Sequence, residues 1–566
     1  MTFETTAGGK AGLKMERDDG TVTTLRTAIA KHFTASMATI ATAVEQREER
    51  LRDFREHFVS AMQVTGKGQL RRVYLGDSDP ERRNAMVKVL LRQGIEVQVL
   101  GEKTEVPDAL NYLGGEAAST GFPAGTWMID LAQPKGRLAR ALLEPHTPID
   151  EEFLGRQIDK NTRNAARGTN VTEDGWEFYD VTAWTLPLMY GVEAFMSDES
   201  PVVSAVQLMA VPADTGDAPT HLAKSAYVIP VGSDSSQQIV IDLLSEGYRV
   251  ATAVRPFDAG GQAFDRGSFI VRVERNPATL HARIRELVAE RGAKVVAIDT
   301  AWTMQGITGI GSESVYALTP PKILLVAGDG VDPNSYGALS FLFEKTFEID
   351  HVPVATSRVK SVDLSQFNVV IIPSGYSTTI DKELGLVGKE NLKSWIDAGG
   401  TLICLGGAVE WAVELGADWT SVTKLEATED QEGTDDVATS EPLEVPGAFL
   451  RTVLDRDHFL SFGYKDDTMP MLVDSDLFLT ASATGTNVLT FAEEGLWMSG
   501  VVWPGNTERS VAGTAAVVDE PLGDGHLVLF HDEPGFRALW YGTVRMFLNA
   551  IIYGPGLRNE NGSYQP

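Results

Sequence analysis

The chain has 566 residues, 43% of them apolar, and at roughly 100–200 residues per domain it should hold three or four units. Its 49 basic against 78 acidic side chains leave a formal charge of −29, which repels nucleic acid and anionic lipid and argues against either as a partner. The single cysteine, Cys404, excludes an intrachain disulfide and a cysteine-based zinc cluster.

Met1 to Lys10 shows neither a basic leader nor an apolar core, and no later run reaches about 18 uncharged apolar residues, so neither export nor membrane insertion is expected from this sequence. Thr2 to Gly9 reads as a short strand running into a glycine turn, with no element before it to pair with. An orphan strand of this kind leads us to expect sequence upstream. From Thr24 onward Leu25, Ile29, Phe33, Met37, Ile40, Val44, Leu51, Phe54, Phe58 and Met62 step by three, four or seven, the spacing of one face of a long helix. Core packing is the expectation for this stripe, with a partner-binding coiled coil as the alternative.

An internal duplication follows. Val73-Tyr74-Leu75-Gly76-Asp77-Ser78-Asp79-Pro80 leads through an amphipathic run to Leu90–Val97, and Tyr227-Val228-Ile229-Pro230 leads likewise to Leu243–Val250. Each is followed by a further strand and helix, Ala124–Ile129 before Arg137–Arg140 and Arg266–Val271 before His281–Ile284. Helices alternating with strands predict largely parallel sheets. A third unit opens at Pro321 with the continuous apolar strand Lys322–Val326, continues through strands Asn368–Pro373 and Thr401–Leu405, and ends in strand-like runs near Val488–Phe491 and His526–Phe530 and a helix from Phe536 to about Ile552. Glu426 to Glu444 is acidic and rich in Ser and Thr, an exposed insertion without an Asp-x-Asp-x-Asp-Gly calcium loop. Gly306–Gly311 lacks a following helix and Asp258–Gly261 lacks close basic residues, so both read as turns and no nucleotide cofactor is indicated.

Phe3-Glu4-Thr5-Thr6-Ala7-Gly8, the long helix behind it, and phrases such as Tyr179–Pro187 and Leu131-Ala132-Gln133-Pro134 resemble a bacterial branch of the carboxypeptidase A-like zinc peptidases, over nearly the whole chain. The resemblance implies that Glu4 is the general base of that family, a carboxylate that takes a proton from the attacking water and returns it to the leaving amine. It also implies zinc for the full-length family, peptide substrates cut at their C-terminal residues, and a periplasmic or extracellular location. The family's zinc is held by a His-x-x-Glu pair and a later histidine upstream of that glutamate; none of the nine histidines here begins a His-x-x-Glu. The expectation is therefore a chain without zinc ligands or cofactor of its own, inactive alone unless an N-terminal peptidase domain or fragment completes it.

Thr401-Leu402-Ile403-Cys404-Leu405-Gly406-Gly407 resembles the nucleophile elbow of class I glutamine amidotransferases. By that resemblance Cys404 would be the nucleophile, His531 its base, Glu533 or Asp532 the orienting acid, and backbone N–H groups near Leu405 the oxyanion hole. Leu402 crowds the place where that elbow wants glycine, and Cys404 reads equally as a small buried apolar residue. The expected architecture is α/β: the end of a carboxypeptidase-like catalytic domain (1–63), two related three-layer α/β units (64–221 and 222–318), and a flavodoxin-like, amidotransferase-like domain (319–566) with its acidic insertion at about 424–446. Three functions compete: peptidase portion, thiol enzyme, and noncatalytic binding or scaffold protein.

Overall fold

The computed structural model describes residues 14–16, 20–63, 69–146, 149–167, 175–214, 216–303, 308–416, 419–425 and 442–557. The fold is mixed α/β. Glu4 and most of the acidic insertion lie outside the described residues.

The long helix forms as α1 (Leu25–Glu45) and α2 (Arg47–Ala61), interrupted at Gln46, whose φ of −103° and ψ of 20° leave the helical range. Thr24 and Thr27 close the start with a reciprocal capping box. The expected core stripe is not core. Leu25, Ile29, Phe33, Met37, Ile40, Val44, Leu51 and Phe54 are all exposed, Phe33 to 67% and Phe54 to 66%. The far end of α2 is anchored among the described residues: the Lys135 ammonium lies over the Phe58 ring, and Arg137 bonds His57 and Ser60. Spacing predicts a face, but it cannot say whether anything in the same chain lies against it.

The first α/β unit contains β1 (Arg72–Leu75), α3 (Pro80–Arg92), β2 (Gln98–Leu100), β3 (Thr104–Asn111), β4 (Ala118–Phe122), β5 (Trp127–Asp130), α4 (Gly136–Leu143), β6 (Ala194–Ser197) and β7 (Ala205–Gln207). The second contains β8 (Ala226–Ile229), α5 (Asp234–Ser245), β9 (Ala251–Ala253), β10 (Phe257–Ala259), β11 (Gln262–Phe264), β12 (Phe269–Arg272), α6 (Leu280–Arg291), β13 (Val296–Ile298) and β14 (Val315–Ala317). Their sheets run β4-β3-β6-β1-β5-β2-β7 and β13-β8-β12-β9-β14, so the path β6-β1-β5-β2-β7 of one repeats strand for strand in the other.

Every strand pair in both sheets is antiparallel, which corrects the parallel expectation. The helical crossover does return β2 in the direction of β1, but the later strand β5 inserts between them and opposes both. In the second unit β12 does the same between β8 and β9. Asp258–Gly261 turns the β10–β11 hairpin, with Gly260 and Gly261 at φ 59° and 79°, values that suit glycine.

The third unit contains β15 (Ile323–Ala327), α7 (Pro333–Phe341), β16 (His351–Ala355), β17 (Val369–Ile372), α8 (Ser377–Asp397), β18 (Thr401–Leu405), α9 (Gly407–Glu410), β19 (Val445–Leu454), β20 (Thr468–Ser475), β21 (Thr486–Phe491), β22 (Ala515–Leu522), β23 (Gly525–Phe530) and α10 (Val544–Tyr553). Its parallel half runs β16-β15-β17-β18-β23, the 2-1-3-4-5 order of flavodoxin-like sheets. An antiparallel half, β22-β21-β19-β20, extends it. Strand alternation sends neighbouring side chains of β19 to different cores: Phe449 joins the cluster of the first unit, while Ala448 and Leu450 join the cluster that the second and third units share. The closing helix starts later than its spacing predicts: Gly535, Arg537 and Ala538 all take positive φ, so the chain loops before α10 begins. All ten residues of α10 are buried. No helix among the described residues is long and apolar enough to cross a membrane.

Candidate functional site

In a sheet of this order the reactive crevice is expected outside the carboxyl ends of the parallel strands, where the turns after β15, β17, β18 and β23 converge. The strand-to-helix turn after β18 has its apex at Gly406, with φ 48° and ψ −119°, a conformation nearly closed to residues with a side chain. The apex is where an elbow nucleophile would sit, and glycine supplies none. The proposed register is thus two residues out.

Cys404 lies inside β18, paired with Ile372 on one side and Leu529 on the other, and is fully buried. Burial raises its thiol far above the ordinary range, so the thiolate that alkylation or catalysis needs is not formed near neutral pH. Iodoacetamide should therefore leave the native chain unlabelled and modify Cys404 fully once it is unfolded in urea. Rapid stoichiometric labelling of the native chain, read by mass spectrometry, would restore the thiol reading.

The other members are equally disconnected. His531 is fully buried against the rings of Phe478 and Phe491, neither of its nitrogens makes a hydrogen bond of ordinary geometry, and burial lowers it to about 4. It is neutral at pH 7 and does not reach Cys404. Asp532 accepts the N–H groups of Asp474 at 2.6 Å and Glu533 at 2.7 Å, so it braces the end of β20 and its own turn rather than a histidine. Burial pushes Asp532 up to about 7, and burial with nearby Asp332 and Asp474 does the same to Glu533.

The N–H groups offered as an oxyanion hole are already engaged: Gly406 donates to the Phe530 carbonyl at 3.0 Å and Gly407 to the Ser374 hydroxyl at 3.1 Å. The crevice is also filled by backbone. A methyl group at Gly407 would stand 1.9 Å from the Gly375 carbonyl oxygen, and one at Gly375 the same distance from that of Gly330. Three turns thus press together where a substrate would have to enter.

Among the described residues no group of three or more His, Cys, Asp or Glu side chains is placed to hold a metal ion. The described residues thus offer no donor set that fits the zinc implied by resemblance. Two buried ionic clusters escaped the sequence reading. Asp519 joins His526 at 2.9 Å and His458 at 3.1 Å, and although burial opposes it, the two imidazoles hold its carboxyl far below the usual range. Asp79, Glu81, Arg82, Asp234 and Arg545 meet where the three units join. The visible signal for the second was the matched Ser-Asp at the two helix starts, Ser78-Asp79 and Ser233-Asp234.

No family model matches the chain, and no curated protein matches it. Solved structures resemble part of it. A cytoplasmic protein from Salmonella typhimurium is 14% identical, with a TM-score of 0.26 over 41% of this chain and 97% of its own. A ThuA-like protein from Bacteroides uniformis is 9% identical, with 0.28 over 40% and 89%. A glutamine amidotransferase from Thermotoga maritima is 11% identical, with 0.24 over 37% of this chain and 74% of its own.

Proposed function

We propose that this chain is the accessory portion of a zinc carboxypeptidase-like peptidase, in which a zinc-bearing catalytic domain covers the apolar stripe of α1 and α2 and the α/β units serve as a noncatalytic body. The observation that carries the reading is the stripe itself. Its six positions on α1 fall within an arc of about 120°, and the three on α2 within about 60°. The nine exposed ones, Met62 included, offer on the order of 1,000 Å² of apolar surface, against about 300–600 Å² for the largest patch of an ordinary monomer and about 800 Å² per side of a standard interface. The segment carrying Glu4 immediately precedes this helix in the chain, and its resemblance to the catalytic strand of the carboxypeptidases supports the same partner.

On this reading Glu4 contributes the general base, the substrate is the C-terminal residue of a peptide, the metal site belongs to the catalytic domain, and the location is periplasmic or extracellular. Hydrolysis of a C-terminal amino-acid reporter should be absent with the chain alone, and should rise at least tenfold when the chain is added to a zinc-loaded carboxypeptidase A-like domain that stops before the strand equivalent to Thr2–Gly9. No rise on mixing would leave a second reading, a scaffold or binding protein without peptidase chemistry. The glycine at the elbow and the backbone-filled crevice favour that reading over a thiol enzyme.

A further inference from the structure

Where the three units meet, five ionisable side chains are packed together. Asp79 caps α3 by accepting the N–H of Arg82 at 3.1 Å, and Ser233 caps α5 in the matching place of the second unit, so two helix N-termini open onto one spot. Arg82 of the first unit forks onto Asp234 of the second, with Nε to Oδ2 at 3.1 Å and Nη2 to Oδ1 at 3.0 Å. Arg545 reaches in from α10 of the third, its Nη2 donating to Asp79 Oδ2 at 2.7 Å and to Asp234 Oδ1 at 3.0 Å. Glu81, on α3, accepts the N–H of Ser235 at the start of α5 at 3.1 Å. Every one of these bonds except the two helix caps ties one unit to another.

The charge count turns on Glu81. Two guanidinium groups balance Asp79 and Asp234, so a neutral Glu81 leaves the cluster neutral and an ionised one adds a negative charge without a partner. Of the other titratable groups around the cluster, Tyr464 and Tyr541 are raised by burial and stay neutral, while Lys465, which donates to the Ser78 carbonyl, lines the same cavity as Asp466 and Glu193. A cavity of about 190 Å³ reaches the cluster at Asp79, Arg82 and Arg545, and Glu81 beside them is itself only partly buried, so water has access to the cluster.

We propose that this cluster is a proton-operated latch, closed across the three units while Glu81 carries a proton and loosened when Glu81 loses it to solvent. Burial first, then the Asp234 and Asp79 carboxylates, push Glu81 up to about 7, with the Ser235 N–H pulling the other way. Because the closed state binds the proton more tightly than the open one, its advantage is complete below the ordinary value of 4.5 and is lost as pH rises through about 7. The closed-to-open ratio should fall on the order of tenfold between about pH 5.5 and 8.

Hydrogen–deuterium exchange on the whole chain tests this, with rates corrected for the intrinsic effect of pH. The N-terminal turns of α3 and α5 and the Gly463–Asp466 loop should lose protection about tenfold across that range, while Glu81→Gln, neutral and of the same shape, should hold them protected throughout. Wild-type protection that does not change with pH would overturn the latch without recourse to any variant. So would a Glu81→Gln chain with the wild-type pH slope, because the proton would then reside elsewhere.

Discussion

Replacing Asp234 by alanine should lower the stability of the folded chain by about 3–5 kcal/mol, the cost of leaving buried cations without their anion. Asp234 serves both Arg82 and Arg545, and although burial opposes it, those two guanidinium groups hold its carboxyl below the usual range. Arg82 would be left with Asp79 at 3.8 Å, and Arg545 with Asp79 alone. The loss should appear as a lower urea midpoint, since the substitution removes the one acceptor that ties the second unit to cations of both the first and the third. Asp457→Ala supplies the contrast. It removes an exposed ion pair to Arg266 between the second and third units and should cost no more than about 1 kcal/mol. Equal midpoints for the two variants would show that the buried cluster does not hold the units together.

Glutamate at both Phe33 and Phe54 should weaken capture of the catalytic domain by about a hundredfold or more, because two central aromatic anchors of an interface contribute on the order of 2 kcal/mol each. The same double substitution should change the stability of the chain by only about 0.5 kcal/mol per site, since both rings already face solvent. A core position would behave in the opposite way, with a loss of about 3–5 kcal/mol per phenylalanine. Measured together, thermal unfolding and binding separate a docking face from a core face. A large fall in melting temperature with unchanged binding would return the stripe to the interior.

The contrast between the stripe and the rest shows what a sequence can reveal. Continuous apolar strands such as Ile323–Ala327 and Thr401–Leu405 were legible because burial on both faces leaves a run that only a covered sheet explains. The repeat was legible from matched strand–helix–strand phrases, and the two sheets do share their strand order. Strand direction was not legible, because the insertion of β5 between β1 and β2 depends on contacts between residues far apart in the chain. The elbow was misread by two residues for a related reason: Cys404 and Gly406 both stand beside apolar neighbours, and only the backbone angles show which one turns. The ionic cluster at the junction was hidden because Asp79, Asp234 and Arg545 are hundreds of positions apart and each looks like a helix residue at a surface.

Sedimentation velocity of the chain mixed with a zinc-loaded carboxypeptidase A-like domain measures directly what covers α1 and α2. A single faster species of one-to-one stoichiometry should form with the wild type and be abolished by the Phe33→Glu, Phe54→Glu pair. Two independently sedimenting species, with the stripe still exposed to solvent in the mixture, would contradict the docking proposed for this face.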